Sequence, residues 1–125
     1  NEIELPSYQG WELKEMELGS VKEQNLYPAP SEAKNEEEYK RRHDAIWPDL
    51  AEALKEAGIS HYSIYLDHAT GTLFAFQHLT EDNTAATLPS LPIVKRWWAY
   101  MADLMETNHD NSPVELPLEE VFYLE

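Results

Sequence analysis

A β-hairpin signal between residues 61 and 79 constrains the fold of this chain more than any other feature. Apolar and polar side chains alternate strictly over residues 61–67, as they do in a strand with one buried face. The breaker-rich segment 68–71 follows, and residues 72–79 form a second strand-like run. We therefore expect two antiparallel strands, the first with this inward face: Tyr62, Ile64 and Leu66.

Two helices are predicted before the hairpin. Asn35, followed by glutamates at positions 36–38, is typical of a capped helix N-terminus, so we expect a helix to begin there. Pro48 lacks a backbone donor and disfavours helical angles at Trp47, which predicts a kink or a restart. The second helical stretch, 48–57, should end at Gly58, which tolerates the left-handed conformation of a helix stop.

The remaining segments predict one more strand at each end of the chain and two more helices. Residues 1–34 are an atypical N-terminal segment, and its first thirty residues show no sustained helical period. Within it 13–18 is the best candidate for a first strand, with a long connection over 20–34. After the hairpin we expect these elements: a short helix at 81–87, a longer helix at about 93–105 and a final strand at 118–124.

This order of elements is that of an α+β ferredoxin-like sandwich, in which an antiparallel sheet carries its helices on one face. We expect residues 1–125 to form a single domain, which is large enough to bury a core without disulfides. The other sheet face would be uncovered. A second copy of the chain is its natural cover, so we expect a homodimer of the dimeric α/β-barrel type.

Charge and composition argue against several classes of function. The formal net charge of −15 repels nucleic acid and anionic lipid, and it favours a neutral or cationic small molecule over a sugar phosphate. The chain has no cysteine, which excludes thiolate chemistry. The histidine spacing predicts no metal site, and phosphate-loop or dinucleotide motifs are missing, so no cofactor is expected. Without a signal peptide or a membrane span, a cytoplasmic location is expected.

Two aromatic features could carry chemistry. Tyr39 and His43 are four residues apart on one helix face, and histidine can give and take a proton near neutral pH. Spacing alone favours packing over catalysis for His43. Trp97 and Trp98 point about 100° apart on a helix, which suggests one ring in the core and one lining a pocket or an interface. Tyr62 is either a core residue or a pocket donor, and spacing does not choose between them.

Five segments, taken in order, resemble the L-rhamnose mutarotase family over residues 36–125. They are residues 37–48, 61–67, 96–101, 110–113 and 120–124. The resemblance implies a dimeric ferredoxin-like isomerase that interconverts α- and β-L-rhamnopyranose without a cofactor. It also implies the following site: His43 as the proton-donating catalytic residue, with Tyr39, Tyr62, Trp97 and Trp98 binding the sugar.

Two other classes of function stay open at this point. One is a non-catalytic sugar-binding or regulatory dimer, and the other is an oxygenase or haem-handling module, because one fold hosts many functions. The sequence does not rank L-rhamnose against related sugars such as L-fucose or L-lyxose. It also does not decide which tyrosine relays the C1 hydroxyl proton or which tryptophan stacks on the sugar.

Overall fold

The structure is a computed structural model that describes residues 10–19 and 30–124, the side chains of residues 30–34 excepted. The strands of the described part are β1 (Trp11–Glu17), β2 (Ile59–Asp67), β3 (Thr72–Leu79) and β4 (Leu116–Leu118). The α-helices are α1 (Pro30–Asp44), α2 (Pro48–Glu56) and α3 (Pro92–Met101), and short 3-10 helices span Ala85–Ser90 and Ala102–Leu104. None of the described helices is long and apolar enough to cross a membrane.

The four strands form one sheet in the order β2-β3-β1-β4, and every neighbouring pair is antiparallel. Strand β3 lies between β1 and β2, which is the ferredoxin-like arrangement, so the predicted α+β fold class is confirmed. Side chains alternate across the sheet, and the helix-facing side of β1 and β3 supplies Met16, Leu73 and Ala75 to the core. Leu50 of α2 and Trp97 and Met101 of α3, among others, complete that core.

The opposite face of the sheet has no helix against it in the described part of the chain. It carries apolar side chains that are exposed or half-buried: Trp11, Leu13, Tyr65, Phe74, Phe76, Leu116 and Leu118. The uncovered apolar face that we expected is therefore present. Whether a second copy covers it stays a prediction, as does the single domain over residues 1–125.

The interruption of the helix at Pro48 is confirmed. Helix α1 ends at Asp44, Trp47 adopts the extended angles φ −63° and ψ 131°, and α2 starts again at Pro48. The predicted stop at Gly58 is also confirmed, since its φ is +94°. A Cβ at this position would collide with Thr80 and Asn83, so both the conformation and the space require glycine.

The predicted start of α1 at Asn35 is wrong, because the helix begins at Pro30. The N–H groups of a first helical turn have no partner within the helix, so proline, which lacks this N–H, is well suited to begin one. Asn35 therefore lies inside the helix. The first strand exists but begins at Trp11, two residues before the predicted start. The predicted connection is helical over residues 30–34, and its residues 20–29 lie outside the described part of the chain.

Three later boundaries also differ from the prediction. The helix expected at 81–87 is a 3-10 helix at Ala85–Ser90, because the Asn83 side chain accepts the Ala85 N–H and holds a turn before it. Helix α3 ends at Met101, and only a 3-10 turn continues to Leu104. The final strand is Leu116–Leu118 rather than 118–124. Leu118 pairs with Leu13, close to the start of β1, so residues beyond 118 soon run past the strand they would pair with.

Candidate active site

A cavity of about 880 Å³ lies between the helices and the helix-facing side of the sheet. It is within the range of roughly 300–1,000 Å³ that is usual for small-molecule sites. All five predicted site residues line it: Tyr39, His43, Tyr62, Trp97 and Trp98. The fold thus brings together side chains from α1, β2 and α3 that are far apart in the sequence.

His43 lies in the last turn of α1, and a backbone hydrogen bond orients its ring. Its Nδ1 is 3.1 Å from the carbonyl oxygen of Tyr39. A carbonyl oxygen only accepts, so Nδ1 carries the hydrogen and Nε2 is the nitrogen available to a ligand. Burial lowers the pKa of His43 below its usual value, although the Tyr39 carbonyl and the Asp44 carboxylate act in the opposite direction. The neutral imidazole is therefore the resting form at pH 7.

Two aromatic rings hold the imidazole of His43 in place. The Tyr39 ring stacks on it with 4.3 Å between ring centroids and 26° between planes. The indole of Trp97 meets it nearly edge-on, at 5.3 Å and 87°. Because the ring is hydrogen-bonded on one side and packed on two others, it has little freedom to rotate away from the cavity.

The two predicted tyrosines are phenol donors at neutral pH. Burial raises the pKa of Tyr39 above its usual range, and the neighbouring Tyr62 adds to the shift. Burial also raises the pKa of Tyr62 to about 12, with a smaller contribution from the carboxylate of Glu115. Although 45% of the Tyr62 surface is exposed, its side chain lines the cavity. Both hydroxyls therefore stay protonated and can donate a hydrogen bond to a ligand.

A β-bulge in β2 lies beside Tyr62, which the register of the hairpin sets on the helix-facing side of the sheet. Ser60 pairs with His78 and Ser63 pairs with Phe76, so two residues of β2, His61 and Tyr62, stand opposite Gln77 alone. His61 absorbs the distortion with a φ of +49°. Bulges of this kind redirect side chains and are frequent beside functional sites. The strict alternation in the sequence did not predict it.

The tandem tryptophans have different surroundings. Trp97 is only 9% exposed, and its ring also contacts Trp47 at 5.1 Å and Tyr100 at 5.6 Å. Trp98 is half-buried, packs against the edge of the core and lines the cavity. The predicted division into a more buried and a less buried ring is therefore present, although both rings reach the cavity.

Arg42, which the sequence did not single out, connects the turn that carries His43 to the end of α3. Its guanidinium donates to the carbonyl oxygen of Tyr100 at 2.6 Å and to the carboxylate of Asp103 at 2.9 Å. It also pairs with Glu38 at 2.7 Å and lies 4.5 Å from the centroid of the Tyr100 ring. The only signal in the sequence was the i, i+4 spacing from Glu38 to Arg42.

The sheet side of the cavity is polar, which sequence reasoning also missed. Gln77 donates to Glu12 at 3.0 Å, and Lys14 forms an ion pair with Glu115 at 3.3 Å. The polar loop 107–113 closes one end of the cavity, and its turn is held by the Ser112 N–H, which donates to Asp110 at 3.0 Å. The candidate site therefore has an aromatic helical wall and a hydrogen-bonding sheet wall.

A second cavity, of about 1000 Å³, lies between α1, α2 and β2. It shares Tyr39, His43 and Tyr62 with the first cavity, but neither Trp97 nor Trp98 lines it. The first cavity is therefore the candidate active site, because all five predicted residues meet there. In the described part of the chain, no group of three or more His, Asp or Glu side chains is arranged to hold a metal ion.

Comparison with known proteins agrees with this geometry. Residues 31–124 match the sequence model of the L-rhamnose mutarotase family. An L-rhamnose mutarotase of Sinorhizobium fredii is 61% identical over 88 residues, which cover 70% of this chain and 85% of that protein. Another, of Formosa agariphila, is 54% identical over 87 residues, which cover 70% and 84%.

A solved structure extends the likeness to the fold. The crystal structure of an L-rhamnose mutarotase from Formosa agariphila matches with a TM-score of 0.74 and 43% identity, covering 94% of this chain and 100% of that one. The matched residues include α1, the hairpin and α3, which carry all five predicted site residues. This chain therefore belongs to the L-rhamnose mutarotase family.

Proposed function

We propose that this protein catalyses the interconversion of α- and β-L-rhamnopyranose. Family membership supports this, and so does the match to relatives of that name over at least 84% of their length. The observation that carries the proposal is the position of His43 in the cavity, with Nδ1 hydrogen-bonded to the backbone and Nε2 left for a ligand. This isomerisation requires an acid/base group in a cavity that can hold a sugar.

Anomer exchange needs one proton on the ring oxygen O5 and the loss of another from the C1 hydroxyl while the C1–O5 bond breaks. Rotation about C1–C2 and reclosure then give the other anomer. In the proposed mechanism the His43 imidazolium donates the proton from Nε2 to O5, while the C1 hydroxyl proton passes through the hydroxyl of Tyr39 or Tyr62 to water. Both protons return when the ring closes. Such a transfer contributes typically about 10²–10⁴-fold, or roughly 3–5 kcal/mol, which suffices for a reaction that already proceeds in water.

The tyrosines and tryptophans would position the sugar. The phenol hydroxyls of Tyr39 and Tyr62 stay protonated, so either can accept the C1 hydroxyl proton on its oxygen while passing its own proton on. The Trp97 ring already contacts three aromatic side chains, whereas Trp98 is less buried. We therefore assign the stacking on the C–H face of the sugar to Trp98. Stacking would hold the open-chain aldehyde until it recloses.

The homodimer is part of the proposal. The uncovered sheet face carries seven apolar side chains, and a face of this kind is commonly buried in an interface between subunits. Packing against the same face of a second copy would bury it while leaving the cavity, which lies on the helical side, accessible. The cytoplasmic location expected from the sequence stays a prediction.

Saturation-transfer NMR tests the activity directly, because it measures anomer exchange of L-rhamnose at equilibrium. We expect the wild type to accelerate exchange and His43→Gln to remove most of the acceleration. His109→Gln is the matched control, since His109 is exposed and lies outside the cavity lining. Equal rates for the wild type and His43→Gln would contradict the assignment of His43, and a wild type at the uncatalysed rate would contradict the proposed function.

A further inference from the structure

The helix-facing side of the central strands changes character along its length. At one end it is apolar and buried, with Met16, Leu73 and Ala75. At the cavity end the same face continues as Glu12, Lys14 and Gln77. Gln77 keeps only 9% of its surface exposed, and no other amide or charged side chain in the described part of the chain is as buried.

Gln77 is the centre of a polar row that crosses the sheet. Glu12 is its direct partner on β1, and the Gln77 Nε2 donates to the Glu12 Oε1 at 3.0 Å. On its other side the register of β2 sets Tyr62 opposite it. All three residues line the cavity, whose helical wall holds His43 and Trp98. The row therefore faces the proposed acid/base group across the site.

Core packing does not account for this row. An amide buried without sufficient hydrogen bonds costs about 1–3 kcal/mol by mutational data, and a leucine at position 77 would continue the apolar face. One Gln77 N–H is used by Glu12, whereas the Gln77 amide oxygen has no hydrogen-bond partner among the described residues. The amide oxygen of Gln77 and the carboxylate of Glu12 both line the cavity. Both can accept hydrogen bonds from the hydroxyls of a ligand.

We propose that Gln77 and Glu12 bind the C3 and C4 hydroxyls of the sugar and that Gln77 sets the specificity for the configuration at C4. The inference rests on the proposed function in one respect, which is that the C1–O5 edge of the ring lies at His43. The opposite edge, with C3 and C4, then faces the sheet wall. Neighbouring hydroxyls on a pyranose suit adjacent carboxylate and amide groups, which accept and donate side by side.

Gln77→Leu tests whether Gln77 acts in binding, because KM and kcat report separately on binding and on the chemical step. A site built to hydrogen-bond a hydroxyl discriminates strongly against analogues that misplace it. We expect the variant to raise KM for L-rhamnose by about tenfold or more while kcat changes less than about threefold. The preference in kcat/KM for L-rhamnose over its C4 epimer, 6-deoxy-L-talose, should fall toward one.

Matched variants separate recognition from general damage to the fold. Glu12→Leu should also raise KM, whereas Glu15→Leu, on the same strand but the other sheet face, should keep the wild-type KM. Gln77→Leu places a leucine between Ala75 and Leu79, which are buried apolar neighbours on the same face of β3, so its melting temperature should stay close to that of the wild type. Loss of fold in that variant would contradict the account of Gln77 as a residue kept for binding.

Calorimetric titration with L-rhamnose distinguishes failure of this inference from failure of the proposed function. If the wild type binds the sugar without exchanging its anomers, the catalytic proposal is wrong, and a tenfold rise in Kd for Gln77→Leu still supports the binding role. Wild-type KM, Kd and epimer preference in Gln77→Leu would overturn the inference alone. A wild type that neither binds nor exchanges L-rhamnose would overturn both.

Discussion

At the scale of single residues, the chemistry depends on how burial and one hydrogen bond act on His43. The Tyr39 carbonyl selects the tautomer with hydrogen on Nδ1, and burial makes the charged ring unfavourable. A lowered pKa makes the imidazolium a stronger acid but a rarer species at neutral pH. Both the rate and the stability should therefore depend on pH below about 6.5, the ordinary histidine value.

The activity should rise as the pH is lowered. If the imidazolium is the acid that protonates O5, its fraction increases from pH 8 downwards and saturates below the pKa of His43, which lies under 6.5. We expect kcat from NMR exchange, corrected for the rate without protein, to follow that curve, and His43→Gln to show no such rise. A kcat that falls toward acid pH would show that neutral His43 acts as a base in the rate-limiting step.

The stability should change in the opposite direction. Because the pKa of His43 is lower in the folded than in the unfolded chain, the unfolded chain binds more protons between the two values. The wild type thus keeps its full stability above about pH 6.5 and loses part of it as the pH falls toward the folded pKa. Urea unfolding of the wild type and His43→Gln at pH 8 and pH 5 checks this. The difference between the two proteins should favour the wild type more at pH 8.

At the scale of elements, the site depends on the junction of the C-terminal turn of α1 with the end of α3. The Arg42 cluster joins these two elements and combines two carboxylates, a backbone carbonyl and an aromatic ring. The planar guanidinium satisfies these partners together, and the point charge of a lysine does not. Arg42 therefore positions the turn that carries His43.

Arg42→Gln should lower the free energy of unfolding by about 1–3 kcal/mol, since the carbonyl of Tyr100 and the carboxylate of Asp103 lose their partner. Arg41→Gln is the matched control. The Arg41 guanidinium forms an ion pair with Glu38, and its side chain is 62% exposed, so its loss should cost less unfolding free energy than the loss of Arg42. Urea denaturation measures both values. Similar losses of unfolding free energy in the two variants would show that the Arg42 cluster contributes no more than an exposed ion pair.

At the scale of the whole molecule, the uncovered sheet face should decide the oligomeric state. Trp11 stacks on Phe76 at 4.9 Å between ring centroids, and Phe74 lies on the same face, which makes the centre of the sheet aromatic. A charge placed there would be buried in a face-to-face dimer and would oppose association. The helical side with the cavity is not part of this surface.

Sedimentation equilibrium of the wild type should give twice the chain mass of 14.5 kDa, and Phe74→Glu should give the mass of one chain. Glu52→Lys is the control, because Glu52 is exposed on α2, and it should remain dimeric. A wild type that sediments as one chain at every concentration would contradict the dimer. A dimeric Phe74→Glu would place the interface elsewhere.

Local rules in the sequence determined much of this protein. Period-two alternation predicted the first strand of the hairpin, and a run rich in phenylalanine and leucine predicted the second. A proline predicted the break between α1 and α2, and a glycine predicted the end of α2. These features depend on backbone sterics and on nearest neighbours, so one sequence suffices. The five site residues came from helical spacing together with the family resemblance, and the fold places all of them on one cavity.

Only the tertiary structure decided where strands stop and what faces the site. Residues after 118 have strand-forming side chains, yet they form no strand because Leu118 pairs with Leu13, near the start of β1 at Trp11, and few partners remain beyond it. The polar row through Gln77 depends on the register that sets it opposite Glu12 on one side and Tyr62 on the other. Register and bulges depend on pairing between distant segments, and alternation within one segment cannot specify them.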